Sequence, residues 1–393
     1  MPNFKCKSVK ELSLPFEKEG VCFEWLAQNE RTRLIYTAVE QGSFFVQVGQ
    51  SAKNEFIIKG EKHSKPEQIG LLQKALLVFK ENFCDEILNE AFALKHTRLL
   101  IRSAYIQNDI SALSAKFKDF DKVFLEIGFG SGRHLLWQAR TNPDTLIIGV
   151  EIYTPAIEQV AKLAQKECLN NVFLVKSDAR LLLSVLNSNS LAKIFLHFPV
   201  PWDKQAGRRV VSELFAKECL RVLKKGGSFE LRTDSVEYFE FSKEIFASFE
   251  NIKIQLAKNE NLDISSKYET RWKKQEKDIY DLRVICEQTS KDLDENLDFN
   301  IKKISFKAGK LDKMQENFSK RHFKGEDFFI CLENFYRINK EKSLLKITFG
   351  AFNKPEHAYL LLGQKSKFLF KEPFKTKENQ KALIKLQEFF AFE

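Results

Sequence analysis

At 393 residues and a net charge of +10, with 44% hydrophobic and 30% charged residues, the chain has the length of two or three domains and the composition of a soluble folded protein. The basic balance suits a polyanionic partner. Seven cysteines, odd in number and without a CxxC pair, argue against a disulfide framework and a zinc site, no metal is expected, and no run of 18 apolar residues or apolar leader is present, so a cytoplasmic protein away from membranes is expected.

Residues 1–120 read as an N-terminal extension of α+β type. Within it "FFVQVGQSAKNEFIIKG" and the residues up to 83 give a strand, a Gly-Gln turn, a second strand and an amphipathic helix. Residues 121–287 alternate β-type runs ("VFLEI", "TLIIGV", "NVFLVK", "AKIFLHF", "SFELRT") with helical ones, and "GRRVVSELFAKECLRVLKKGG" carries helical spacing up to a Gly-Gly stop. Such alternation predicts an α/β, doubly wound, mostly parallel sheet with its ligands at the carboxyl ends of the strands. Residues 288–393 form a basic C-terminal extension, again of α+β type. There "YLLLGQKSKFLFKEPFKTKENQKALIKLQEFF" repeats the strand, Gly-Gln turn, strand and helix of residues 44–83, so the two extensions are expected to carry related β-β-α units.

The chemical motifs lie at the predicted strand ends. "VFLEIGFGSGRHLL" sets Gly128, Gly130 and Gly132 between a strand and a helix, where backbone N–H groups and a helix N-terminus can approach a ligand. The spacing is GxGxG, not the GxGxxG of dinucleotide sites, which lowers the case for a nicotinamide oxidoreductase. Acidic residues follow in register: Glu126 before the loop, Glu151 closing the second strand and Asp178 closing the third. Glu151 is placed to accept from both hydroxyls of a ribose, Asp178 to reach an adenine amino group and Glu126 to hold the amino group of an amino acid. A nucleoside joined to a cationic amino acid, with no pyrophosphate to repel the carboxylates, is S-adenosylmethionine.

The fourth strand ends in "FPVPWDK". Proline cannot continue a ladder, so Pro199 and Pro201 stop the strand and stiffen a turn that carries Trp202, a ring able either to position a planar base or to anchor the core. Lys204, Arg208 and Arg209 follow as cations for a nucleotide backbone. Asp234 closes the fifth strand in "LRTD", and "SKYETR" gives Ser266, Lys267, Tyr268 and Glu269 ahead of a further strand.

Taken in order, LEIGFGSG, GVEIYTP, SDA, FPVPWDK, RTD and SKYETR resemble the bacterial tRNA (guanine-N7)-methyltransferases, over roughly residues 121–287. The resemblance implies a Rossmann-like methyltransferase fold, S-adenosylmethionine as donor and a guanine in the variable loop of tRNA as acceptor. It implies cofactor contacts at Glu126, Gly128, Gly130, Gly132, Glu151 and Asp178. Substrate contacts would lie at Lys204, Arg208, Arg209, Asp234 and Ser266 to Glu269. The family places an aspartate between the two prolines, where this chain has Val200, so Asp203 and Asp234 are the candidate catalytic carboxylates. Two other readings stay open: a methyltransferase of this fold with another acceptor, and a non-catalytic RNA-binding protein. No oligomeric state follows from the sequence.

Overall fold

The computed structural model of the chain describes residues 2–51, 54–66, 68–91, 103–107, 113, 116–261, 264, 277–293, 297, 299, 301, 304–306 and 310–392. The N-terminal part holds β1 (Asn3–Val9), β2 (Phe16–Lys18), β3 (Val21–Gln28), β4 (Thr32–Val39), β5 (Gly42–Gln50), β6 (Phe56–Gly60), α1 (Ile69–Phe83) and β7 (Cys84–Glu90). The middle holds β8 (Ile106–Gln107), β9 (Lys122–Ile127), α2 (Arg133–Thr141), β10 (Thr145–Glu151), α3 (Thr154–Lys166), β11 (Val172–Lys176), α4 (Ala179–Val185), β12 (Leu191–His197), α5 (Glu213–Val222), β13 (Leu223–Thr233), α6 (Val236–Ala247), β14 (Ile252–Lys258) and β15 (Tyr280–Cys286). The C-terminal part holds α7 (Lys310–Glu316), β16 (Arg321–Lys324), β17 (Phe329–Arg337), β18 (Ser343–Gly350), β19 (Glu356–Leu362), β20 (Lys367–Leu369) and α8 (Lys377–Phe392).

These elements form two compact units, one from residues 102–295 and one that joins 1–101 to 296–393. The sequence divides into three successive segments, but the two outer ones fold together. Each buries an outer core of its own, and the apolar inner face of each is covered by the other's.

In the middle unit the strand order is β14-β15-β13-β12-β9-β10-β11-β8. Pairing is parallel from β13 to β8, and β15 runs antiparallel to β13 and β14. This is the doubly wound sheet expected of a Rossmann-like methyltransferase, with its order reversing between β9 and β12. Strands β9 and β10 are buried along nearly their whole length because helices cover both faces, which explains their unbroken apolar runs. Ser212 and Ser235 cap α5 and α6 by accepting from Phe215 N (3.3 Å) and Tyr238 N (3.1 Å). Helix α5 stops at Val222, before the Gly-Gly pair, because Leu223 already pairs with Leu191 in the ladder from β12 to β13.

In the outer unit β3 to β6 and β17 to β20 are two antiparallel meanders, each followed by a helix, α1 and α8, and among the described residues their backbones pair at Gln28–Arg337. Both edges carry the same extra strand, β2 on β3 and β16 on β17, and β3 and β17 share a bulge, between Phe23 and Trp25 and between Leu332 and Asn334. The β-β-α units expected from the Gly-Gln turns thus have one topology.

The two meanders also face each other. In a flat sheet β5 and β19 would stand about 24 Å apart, five strand spacings, yet Phe45 and Tyr359 have ring centroids 5.0 Å apart. Ala27, Leu34, Phe45, Tyr336, Leu344, Tyr359 and Leu369 form that inner core, and α1 and α8 cover separate outer cores.

At the rim of the inner core His63 and His357 stack at 3.8 Å. Burial, followed by the charge of His357, lowers the His63 pKa from 6.5 to about 4, against a smaller opposing effect of Glu61. The unfolded chain therefore takes up a proton that the folded ring refuses, and stability falls as pH drops from about 6.5 toward 4. We expect urea unfolding of the full chain at pH 5 to show a loss of about 1 kcal/mol relative to pH 7 from this pair, discounted for the partial exposure of the ring. His63→Gln should flatten that pH dependence.

Among the described residues no helix is long and apolar enough to cross a membrane.

Candidate cofactor and substrate site

The glycine loop joins the end of β9 to the start of α2. Gly128 N donates to Val150 O (2.8 Å), fastening the loop to β10, and Gly132 N donates to Phe129 O (2.8 Å). Gly132 has φ +71°, and a Cβ there would stand 2.4 Å from Val160 Cγ2 on α3, so only glycine lets α2 and α3 pack this closely. Over Gly128 and Gly130 the space is open: a Cβ at Gly128 meets nothing within 4 Å, and one at Gly130 meets only Gly128 O at 3.9 Å. The loop is therefore a cradle of backbone, of the kind a nucleoside or amino-acid ligand needs.

The three expected carboxylates stand at the ends of β9, β10 and the loop after β11. Glu126 is 4% exposed and accepts from His134 Nδ1 at 2.7 Å. Asn142 Nδ2 donates to Gln138 Oε1 (3.1 Å), which turns the Gln138 amide nitrogen toward His134 Nε2 (3.1 Å). In this assignment His134 Nε2 accepts and Nδ1 carries the proton that binds Glu126. His197 packs against His134 at 4.5 Å. Burial first, then His134 and Arg232, holds its pKa well below the usual histidine range.

Glu151 Oε1 accepts from Ile152 N (2.8 Å) and Tyr153 N (3.1 Å), and Oε2 accepts from Gly130 N (3.3 Å). A carboxylate has about four acceptor positions, so one remains, on Oε2, where the sequence reading gives Glu151 both ribose hydroxyls. Asp178 caps α4. Its Oδ1 accepts from Arg180 N (2.9 Å) and Arg180 Nε (3.0 Å), and its Oδ2 from Arg180 Nη2 (2.6 Å), which again leaves one position open on Oδ2.

Beyond β12, Phe198 and Trp202 both have φ +49°, a conformation uncommon for bulky residues and typical of turns under functional constraint. Phe198 N donates to Arg232 O (2.7 Å), carrying the ladder one residue past the strand. Arg208 stacks over the Trp202 ring at 5.0 Å, and Lys204 is exposed. Arg209 departs from the expected role. It is 7% exposed, donates from Nε to Pro201 O (2.8 Å) and lies over Phe241 at 4.7 Å, so it braces the turn and does not face a ligand. The Asp203 side chain is 62% exposed, with Arg209 Nη2 3.7 Å away.

Asp234 follows β13 and lies 3.5 Å from Lys277 Nζ. Below it Arg232, 1% exposed, pairs with Asp281 across the ladder (2.7 Å) and donates to Glu260 O (2.6 Å), tying β13 to β15. Removing one partner of such a buried pair costs about 3–5 kcal/mol. Ser266, Lys267, Tyr268 and Glu269 lie outside the described residues.

The sequence reading missed His134, Gln138, Arg180 and the Arg232–Asp281 pair. His134 had a weak signal in its position two residues past the last glycine, on the first turn of the helix. Arg180 had one in its place two residues after a helix-capping aspartate.

A family model for methyltransferases matches residues 121–282, which contain every described candidate residue above. The tRNA (guanine-N(7)-)-methyltransferase of Campylobacter jejuni subsp. jejuni serotype O:23/36 (strain 81-176) is 54% identical over 389 residues, 99% of this chain and 98% of its own. Those of Campylobacter fetus subsp. fetus (strain 82-40) and Wolinella succinogenes are 41% and 35% identical, each over 100% of this chain and over 99% and 100% of their own. The matches span both units, so the outer unit is shared by these relatives. With identity this high over this length, the chain belongs to the tRNA (guanine-N(7)-)-methyltransferase family.

Proposed function

We propose that the protein transfers a methyl group from S-adenosylmethionine to N7 of a guanine in the variable loop of tRNA, giving 7-methylguanosine. The observation that carries this reading is the register of Glu126, Glu151 and Asp178 around an open glycine cradle at the reversal of strand order, in a chain of this family.

S-adenosylmethionine supplies a methyl group on a sulfonium centre. Glu126, fixed by His134, holds the ammonium; the remaining acceptor position of Glu151 takes one ribose hydroxyl, and that of Asp178 takes the adenine amino group. Backbone amides of the cradle and the N-terminus of α2 favour the carboxylate of the amino-acid part.

Guanine N7 has a lone pair and no proton, so the chain needs no general base. Its work is alignment, an effect of about 7–11 kcal/mol in well-oriented cases. Asp234 and Glu269 accept from N1 and N2 of the guanine edge, Asp203 offsets positive charge on the methylated base, and Ser266, Lys267 and Tyr268 serve as further substrate contacts. Lys204 and Arg208 meet phosphates, and the rigid "FPVPWDK" turn sets the Trp202 ring beside the base.

The test is transfer of labelled methyl from S-adenosylmethionine to unmodified tRNA with the product nucleoside identified. Label in 7-methylguanosine is expected; label elsewhere, or none despite cofactor binding, would move the assignment to another acceptor or to a non-catalytic role. In the same assay Glu151→Ala should raise the S-adenosylmethionine KM at least about tenfold, since it loses a ligand contact and the anchor of Gly130 N.

A further inference from the structure

The two β-β-α repeats of the outer unit have diverged at matching positions. Counting outward from the Gln28–Arg337 pair, the row Trp25–Tyr36–Phe45 across β3, β4 and β5 corresponds to Asn334–Lys346–Tyr359 across β17, β18 and β19. The first row is aromatic and closed. Trp25 stacks on Tyr36 at 4.7 Å, and Phe370 covers Tyr36 and Phe45 at 5.9 and 5.0 Å.

The second row is polar and lines a cavity of about 690 Å³ between the repeats. At its floor Glu61, 4% exposed, pairs with Lys346 Nζ (3.5 Å), which also pairs with Glu333 (3.4 Å). The Tyr359 ring, 2% exposed, is part of the same wall. At the mouth are Arg337 and Arg31; Asn29 Oδ1 holds the hairpin that presents Arg31 by accepting from Arg31 N (3.1 Å) and Thr32 N (2.9 Å).

A core position changed from aromatic to amide or ammonium costs stability unless the polar group has work to do. Here two such changes, Trp25 to Asn334 and Tyr36 to Lys346, share one row with Tyr359 and open onto one cavity. Its charges balance: Arg31, Arg337 and Lys346 stand against Glu30, Glu61 and Glu316, so the interior does not suit a bare polyanion. Gln47 and Asn334 offer both donors and acceptors, the Tyr359 hydroxyl is buried in the wall without a hydrogen-bond partner among the described residues, the aromatic Phe318 offers a stacking face, and the volume lies within the range of small-molecule sites. Two arginines at the mouth fit a phosphate.

From this geometry we infer that the cavity between the repeats is a nucleotide site, with the base inside against Asn334, Gln47 and Tyr359 and the phosphate at Arg31 and Arg337. Either an unpaired nucleotide of the tRNA or a free mononucleotide supplies that chemistry. The RNA source rests on the tRNA activity proposed above, and its site is separate from the cofactor cradle in sequence and in fold.

The test uses the full-length protein, with Tyr359→Phe and Arg31→Ala/Arg337→Ala as variants that leave the packing intact. For an RNA nucleotide, tRNA carrying 4-thiouridine should crosslink on irradiation to peptides containing residues 29–34 or 334–337. The double arginine variant should then raise the tRNA KM about tenfold with unchanged kcat and unchanged S-adenosylmethionine affinity. For a free nucleotide, AMP, GMP, CMP or UMP should bind the native protein by calorimetry and lose that binding in both variants, while the tRNA KM stays constant. Neither crosslinking nor mononucleotide binding, or either one unaltered by the variants, overturns the site. Absence of tRNA methylation by the native protein would instead count against the proposed activity, since crosslinking and calorimetry do not depend on turnover.

Discussion

Asp234→Ala should lower kcat for tRNA methylation about 10²-fold while S-adenosylmethionine binds as before. Asp234 sits one residue past the end of β13, whose direction is fixed by the buried Arg232–Asp281 pair and by the ladder to β15. Its carboxylate is therefore placed by rigid elements, with Lys277 Nζ 3.5 Å away. Accepting from two N–H groups of one guanine edge requires both oxygens, so Asp234→Asn should fail almost as badly as alanine, because it turns one acceptor into a donor against a donor. Lys277→Ala is the control and should leave most activity. Single-turnover rates at saturating tRNA, set beside cofactor affinity, separate the outcomes. Normal turnover in Asp234→Ala with normal tRNA affinity would remove Asp234 from the site, and a matching loss of cofactor binding would mean the variant had disturbed the fold.

Gly132→Ala should abolish cofactor binding and destabilise the middle unit by about 2–5 kcal/mol, the sum of a left-handed alanine (about 1–2) and an overpacked contact (about 1–3). The contact is between the new methyl and Val160, at 2.4 and 2.9 Å from its two methyl carbons. Helix α3 must back away from α2, and α2 presents the N-terminus that closes the cradle. The two contributions can be separated. Gly132→Ala/Val160→Ala removes the clash and keeps the φ of +71°, so it should recover part of the cofactor affinity lost by Gly132→Ala alone. At Gly128, with φ +68° and open space, alanine should show the conformational cost by itself. Urea unfolding and cofactor titration of the three variants give the comparison. If Gly132→Ala binds cofactor normally, the cradle is more adaptable than the packing of α2 on α3 implies.

The doubly wound sheet and the places of Glu126, Glu151, Asp178 and Asp234 were legible in the sequence because the information is local. Strands buried on both faces read as apolar runs, and a chain leaving a parallel strand must put its next residues at the carboxyl end. The repeat in the outer unit was legible for the same reason, through a Gly-Gln pair at the end of a strand: Gly49 and Gln50 are the last residues of β5, just before its turn, and Gly363 and Gln364 follow β19 directly.

What those side chains do depends on partners that sequence order does not bring together. The ring that holds Glu126 is on the next helix, and the acceptor positions already filled on Glu151 belong to backbone groups of the loop it faces. Arg209 looked like a phosphate contact because it follows Lys204 and Arg208, yet the turn's own carbonyl at Pro201 and the Phe241 ring on α6 bury it.

The sequence by itself determined the order of strands and helices, the glycine loop and the acids at strand ends, since each follows from periodicity and from steric rules acting over a few residues. Only the tertiary structure decided that residues 1–101 and 296–393 make one unit and that a polar row in one repeat faces a cavity. Both are long-range outcomes: two apolar faces far apart in the sequence meet in one inner core, and whether a lysine such as Lys346 is a solvated surface charge or lines a cavity is settled by what folds over it.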